Sequence, residues 1–66
     1  MSEIESLKTE VRILSSKATQ AKMDLHDLSE ELPLGWERIP EVAAHCHQLY
    51  ADLAAARQRL AAATPA

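Results

Sequence analysis

The chain has one glycine and one cysteine among its 66 residues. It has no phenylalanine, one tryptophan and one tyrosine. A lone cysteine excludes an internal disulfide, a zinc knuckle and an iron–sulfur cluster held by this chain alone. A lone glycine excludes a glycine-rich loop that cradles phosphates. Because alanine is abundant while glycine and aromatic residues are scarce, the composition favours helices over sheets.

The chain also lacks a long uncharged apolar run and a basic, apolar leader, so we expect a soluble, cytoplasmic protein without a membrane partner. Its net charge is −3. This mild acidity gives no overall attraction to nucleic acid. No enzyme motif is present, and we expect a non-enzymatic protein.

Two strict heptad seams dominate the sequence, and they share one register. Apolar residues are spaced alternately by three and four positions, which is the pattern of helices that pack as a coiled coil. The first seam is Ile4, Leu7, Val11, Leu14, Ala18, Ala21, Leu25, Leu28 and Leu32, and the second is Ile39, Val42, Cys46, Leu49, Leu53, Ala56, Leu60 and Ala63. The two seams predict an all-α, antiparallel two-helix hairpin.

Capping and breaking residues give the bounds of one domain over residues 1–66. Ser2 followed by Glu5 is a capping box that predicts the start of helix 1, and Pro33 predicts its end because proline disfavours a helical residue before it. We expect helix 1 at about 2–32, a turn at 33–36 and helix 2 at about 37–63. Trp36 is predicted to cover Leu32 and Ile39.

Residues that face each other across this hairpin have numbers that sum to about 70 or 71. On one flank the register predicts four complementary charged pairs: Glu10 with Arg59, Lys17 with Asp52, Asp24 with His45, and Glu31 with Arg38. Exposed pairs of this kind contribute about 0–1 kcal/mol each, so they serve as a check on the register.

The opposite flank is small and weakly polar, with cations toward the end away from the turn. We call it the small-residue flank: Ser15, Thr19, Ser29, Ala43, Tyr50, Ala54 and Ala61, with Lys8, Arg12, Lys22 and Arg57. Small side chains let helices approach closely, and a chain this short buries little surface alone. We therefore predict a homodimer, a four-helix bundle or a higher oligomer, in which a second hairpin packs on this flank.

Histidines are the candidate metal ligands. His26 and Glu30 are four residues apart on one face of helix 1 and can share an ion. His47 lies too far from His26 within one hairpin, but across a dimer interface it is a third candidate ligand. The predicted site would bind a divalent transition metal of unknown identity. The alternative is that these histidines are solvated residues of an acid-rich surface. Cys46, at a seam position, is interpreted as an inert core thiol, with a metal ligand or an intersubunit disulfide as the alternatives.

Two other surfaces are candidates for docking. Exposed Ile13 and Met23, with the acidic residues near the turn, form a possible surface for a protein partner. The cations of the small-residue flank allow a weaker reading, an RNA-binding helical bundle, but they are few and lack interleaved aromatic residues.

The segment ATQAKMDLHDLSEELPLGW, residues 18–36, resembles the signature of small Rop-like helical-hairpin proteins encoded among nitrogen-fixation genes. Its specific part is Lys22 to Leu28 followed by Leu32, Pro33 and Trp36. The resemblance implies a hairpin oligomer without catalytic activity, sometimes described as a metalloprotein, and it points to His26 with its neighbours Asp24, Asp27 and Glu30.

Taken with the resemblance, the sequence predicts an accessory protein of nitrogen fixation that binds metal during nitrogenase cofactor assembly or protection. The alternative is a structural adaptor without metal that docks a nitrogenase-maturation protein.

Overall fold

The structure, a computed structural model, describes residues 2–65. Two α-helices, α1 at Glu3–Glu31 and α2 at Ile39–Ala63, pack against each other and are joined through a 3-10 helix at Trp36–Arg38. The hairpin is a rod with extents of 49 × 16 × 15 Å. The predicted all-α hairpin is confirmed, and its association into a bundle stays a prediction.

Helix α1 begins at the predicted cap. Ser2 has extended dihedral angles, with φ −76° and ψ 159°, and its Oγ accepts a hydrogen bond from the amide of Glu5 at 3.1 Å. This bond satisfies one of the amides that have no partner inside the helix.

The turn after α1 is held by its own backbone. Leu32, the residue before Pro33, leaves the helical region with ψ 142°, as expected for a residue that precedes proline. The amide of Leu34 donates to the carbonyl of Glu31 at 3.0 Å, and the amide of Trp36 donates to that of Pro33 at 3.4 Å. Gly35 has φ 75°, a conformation that glycine adopts without a Cβ penalty.

Helix α2 begins at Ile39, two residues later than the sequence suggests. Pro40 has no amide hydrogen, so it cannot donate to the carbonyl of Trp36 as an α-helix would require. The amide of Ile39 donates to that carbonyl instead. Residues 36–38 are therefore a 3-10 turn, a common start for a helix.

The core follows the two seams. Every seam position except Leu32 and Ile39 is buried or half-buried, including Cys46. The fully buried residues are Ala18, Ala21, Leu28, Leu53 and Ala56. Because three of these are alanines, the helices approach closely while little apolar surface is removed from water.

Only one of the four predicted cross-helix charged pairs forms among residues 2–65. Arg59 Nη2 donates to Glu10 Oε1 at 2.8 Å, which confirms the register. The other three pairs form no ion pair in that range, because partners close in sequence compete, although Asp24 and His45, like Glu31 and Arg38, line one groove as the register predicts. Gln20 donates to Asp24 at 3.0 Å, Gln48 donates to Asp52 at 2.8 Å, and Arg38 lies 3.8 Å from Glu41.

The prediction that Trp36 covers Leu32 and Ile39 is also wrong. The exposed fractions are 62% for Trp36, 41% for Leu32 and 38% for Ile39. The turn backbone closes this end of the core instead, since a Cβ at Gly35 would lie 3.2 Å from Cδ1 of the buried Leu28. The indole is left at the surface.

Candidate functional site

His26 lies between two carboxylates on the exposed surface of α1. Its Nε2 is 3.4 Å from Oε1 of Glu30, one helical turn later, and its Nδ1 is 3.6 Å from Oδ1 of Asp27. All three side chains are at least two-thirds exposed. The helical spacing that predicts a contact between His26 and Glu30 is confirmed by this geometry.

The two carboxylates approach opposite nitrogens of the same ring, and this limits what the cluster can bind. An ion at Nε2 would have His26 and Glu30 as ligands, whereas Asp27 would only orient the ring through Nδ1. Two ligands fall short of the four that a tetrahedral protein site for zinc requires. Among residues 2–65 no group of three or more His, Cys, Asp or Glu side chains could hold a metal ion.

His47 is exposed on α2 and does not complete the cluster of His26 and Glu30. The three predicted ligands are therefore not assembled within one chain, so a resident metal does not fit the isolated hairpin. The predicted site with His47 from a second chain stays a prediction.

A groove of about 510 Å³ near the turn gathers much of the negative charge. We call it the acidic groove. Its charged and histidine side chains come from both sides of the hairpin, as the register predicts for Asp24 opposite His45 and Glu31 opposite Arg38. The full lining is Ala21, Asp24, Asp27, Leu28, Glu31, Arg38, Glu41, Val42 and His45.

A second groove, of about 780 Å³, draws half of its ten lining residues from the small-residue flank. We call it the basic groove, because three cations and no carboxylate are among the described residues that line it. The lining is Lys8, Val11, Arg12, Ser15, Ser16, Thr19, Gln20, Met23, Arg57 and Leu60. The two grooves give the rod surfaces of opposite charge.

The sequence interpretation missed the apolar surface at the turn. Leu34 is the most exposed of the large apolar side chains in residues 2–65, at 74%, and it stands beside the exposed Trp36. Neither residue belongs to the heptad seams, and this was the available signal that the hairpin would not bury them. The predicted exposure of Ile13 and Met23 is confirmed, at 50% and 54%.

Comparison with known proteins identifies the family. The family described as Rop-like matches residues 2–65. A UPF0437 protein from Azorhizobium caulinodans is 50% identical over 60 residues, which cover 91% of this chain and 87% of the relative. A UPF0437 protein from a Nostoc species is 44% identical over 57 residues, or 86% of this chain and 80% of the relative.

A third relative, from Frankia alni, is named "UPF0437 protein in nifX-nifW intergenic region". It is 52% identical over 44 residues, which cover 67% of this chain and 54% of the relative. No solved structure matches the chain. In residues 2–65 neither helix is both long and apolar enough to cross a membrane. Because the family match spans nearly the whole sequence and similar relatives cover most of it, the chain belongs to the Rop-like family.

Proposed function

We propose that the chain is a non-enzymatic accessory protein of nitrogen fixation, an adaptor that docks a nitrogenase-maturation protein through its exposed surfaces. The observation that carries the link is the name of the Frankia alni relative, which places that protein between nifX and nifW. This chain and that relative are 52% identical over 44 residues.

The distribution of chemical groups supports docking as the mode of action. The rod is 49 Å long and about 16 Å wide, so most of its polar side chains face solvent. Its two grooves differ in charge, and each suits a partner surface of the opposite sign. Large apolar side chains are exposed at the turn, where a partner can bury them.

Deletion of the gene in a nitrogen-fixing host tests this proposal. Nitrogenase activity, measured as acetylene reduction, is expected to fall when the cells fix nitrogen, while growth on ammonium stays unchanged. Unchanged acetylene reduction in the deletion strain would reject the link with nitrogen fixation.

Metal handling is a second candidate function, and the contacts of His26 favour it. Nε2 of His26 faces Oε1 of Glu30 at 3.4 Å, so an ion bound between them would have one nitrogen and one oxygen ligand from this chain. Since one chain offers only this pair, the proposal requires further ligands from a second chain, with His47 as the candidate.

Calorimetric titration of the purified, assembled protein with Zn²⁺ separates the two candidates. Saturable binding that is lost in His26→Ala but kept in His45→Ala supports metal handling, because His45 lies in the acidic groove and is a control of the same residue type. If no heat of binding appears, or if both variants lose it equally, the protein acts without a metal at His26.

A further inference from the structure

The hairpin end that joins the two helices carries both apolar and acidic groups, and we call residues 30–41 the hairpin tip. Four large apolar side chains of the tip are exposed: Leu32 by 41%, Leu34 by 74%, Trp36 by 62% and Ile39 by 38%. A concentration of exposed apolar residues, tryptophan included, is typical of a protein interaction surface.

The backbone of the tip is fixed before any partner binds. The amides of Leu34, Trp36 and Arg38 donate to the carbonyls of Glu31, Pro33 and Gly35 at 3.0, 3.4 and 2.9 Å. Gly35 also packs against the buried Leu28. The apolar side chains therefore stand on an ordered turn, so a partner would lose less free energy in ordering it.

Charge indicates what kind of partner fits. The tip contains Glu30, Glu31, Glu37 and Glu41 against Arg38, which gives it a net charge of −3. This equals the net charge of the whole chain, so the remaining residues are neutral in sum. Two tips brought together would place like charges in contact, which disfavours a second tip as the occupant.

The grooves of a second copy are also poor receptors for the tip. The acidic groove has the same sign of charge. The basic groove has the complementary charge, but only three of its ten lining residues are large apolar ones, Val11, Met23 and Leu60. Burial of Leu34 and Trp36 needs a more apolar receptor.

We propose that the hairpin tip is a preformed docking site for a cationic, amphipathic segment of another protein. Apolar residues of that segment would cover Leu34 and Trp36, and its lysines and arginines would face Glu31, Glu37 and Glu41. This deepens the proposed adaptor role and rests on it only for the identity of the partner.

The test uses a synthetic amphipathic helix of leucine and lysine as the probe and the full chain as the receptor. Trp36 is the only tryptophan of the chain and therefore reports binding at the tip. Saturable addition of the peptide is expected to shift the emission of Trp36 to shorter wavelength. A leucine and glutamate peptide is expected to give no shift.

Matched variants show whether the peptide binds at the tip. Leu34→Ser and Glu37→Lys are each expected to weaken peptide binding by about tenfold or more. Ile13→Ser, at another exposed apolar residue, and Glu5→Lys, at the far end of the rod, are expected to leave it unchanged. All four positions are exposed, so the variants are expected to fold.

Three results would overturn the proposal. They are no emission shift with the basic peptide, an equal shift with the acidic peptide, and equal weakening by Ile13→Ser and Leu34→Ser. An emission shift that appears without peptide as the chain is concentrated would instead assign the tip to a second copy. Each readout is independent of nitrogenase activity, so failure here leaves the link with nitrogen fixation standing.

Discussion

Alanine residues determine how closely the two helices approach. Ala56 is 0% exposed and Ala18 is 1% exposed, whereas Leu53, 3% exposed, is the one large buried side chain of α2. Heptad pairing places Ala18 opposite Leu53 and Ala56 opposite Leu14, so a large residue meets a small one in the middle of the rod. Such layers leave no room for a larger side chain.

Ala56→Leu is therefore expected to destabilise the hairpin by about 1–3 kcal/mol, the usual cost of overpacking. Urea denaturation at a fixed chain concentration, followed by circular dichroism, measures this change. The control is Ala55→Leu, which makes the same substitution one residue earlier at an exposed position and should be nearly neutral. Equal effects of the two substitutions would show that the core is not built on the predicted seam.

The exposure of Trp36 and Leu34 does not follow from their residue types. An apolar residue next to a turn is usually expected to cover the end of the core, and the sequence predicts this for Trp36. Its place depends on Gly35, whose positive φ lets the backbone itself close the core over Leu28. Side-chain type alone does not specify this backbone path, and the absence of both residues from the heptad seams is the one sequence signal of their exposure.

At the scale of the helices, the alternation of three and four residues was sufficient to predict the hairpin and its register. The Glu10–Arg59 pair, at 2.8 Å, is the direct evidence for that register. The remaining charged pairs could not be predicted from the register alone, because Asp24 and Asp52 each have a glutamine one turn earlier in the same helix. A neighbour at this spacing is already in place when the helix forms.

A double-mutant cycle tests the register in solution. Glu10→Ala and Arg59→Ala are expected to be coupled by about 0.2–1 kcal/mol in the free energy of unfolding, because both side chains are partly exposed. The matched pair Glu10→Ala and Arg57→Ala should show no coupling, since Arg57 lines the basic groove on the other flank. Coupling to Arg57 instead of Arg59 would require a different register.

The whole molecule exposes more surface than its mass requires. Compact monomers of this mass expose about 4,200 Å² by the scaling of area with mass, and this chain exposes 5013 Å². The excess is close to the roughly 800 Å² that one partner buries in a standard interface. The elongated rod is thus suited to covering one flank with another chain, as the predicted dimer requires.

Light scattering of two charge variants locates that interface. Ala54→Glu places a carboxylate in the middle of the small-residue flank and is expected to raise the dimer dissociation constant by about tenfold or more. Asp52→Lys changes a charge on the flank that carries the Glu10–Arg59 pair and should have a much smaller effect. A well-folded wild-type monomer at micromolar concentration would contradict the predicted dimer.

The candidate site was predictable only in part. Helical spacing was sufficient to predict the contact between His26 and Glu30, and the register was sufficient to predict that both helices line the acidic groove. A site that needs ligands from two chains depends on how those chains pack, which the seam of one hairpin does not specify. The assignment of His47 therefore stays a prediction.

The central claim is that the chain acts in nitrogen fixation by docking through its tip. Acetylene reduction in the deletion strain, complemented with a Leu34→Ser and Trp36→Ala double variant, tests it most directly. We predict that this variant folds but leaves activity at the level of the deletion strain, whereas Ala55→Ser, at an exposed position outside both grooves, restores wild-type activity. Full restoration by the double variant would contradict the claim.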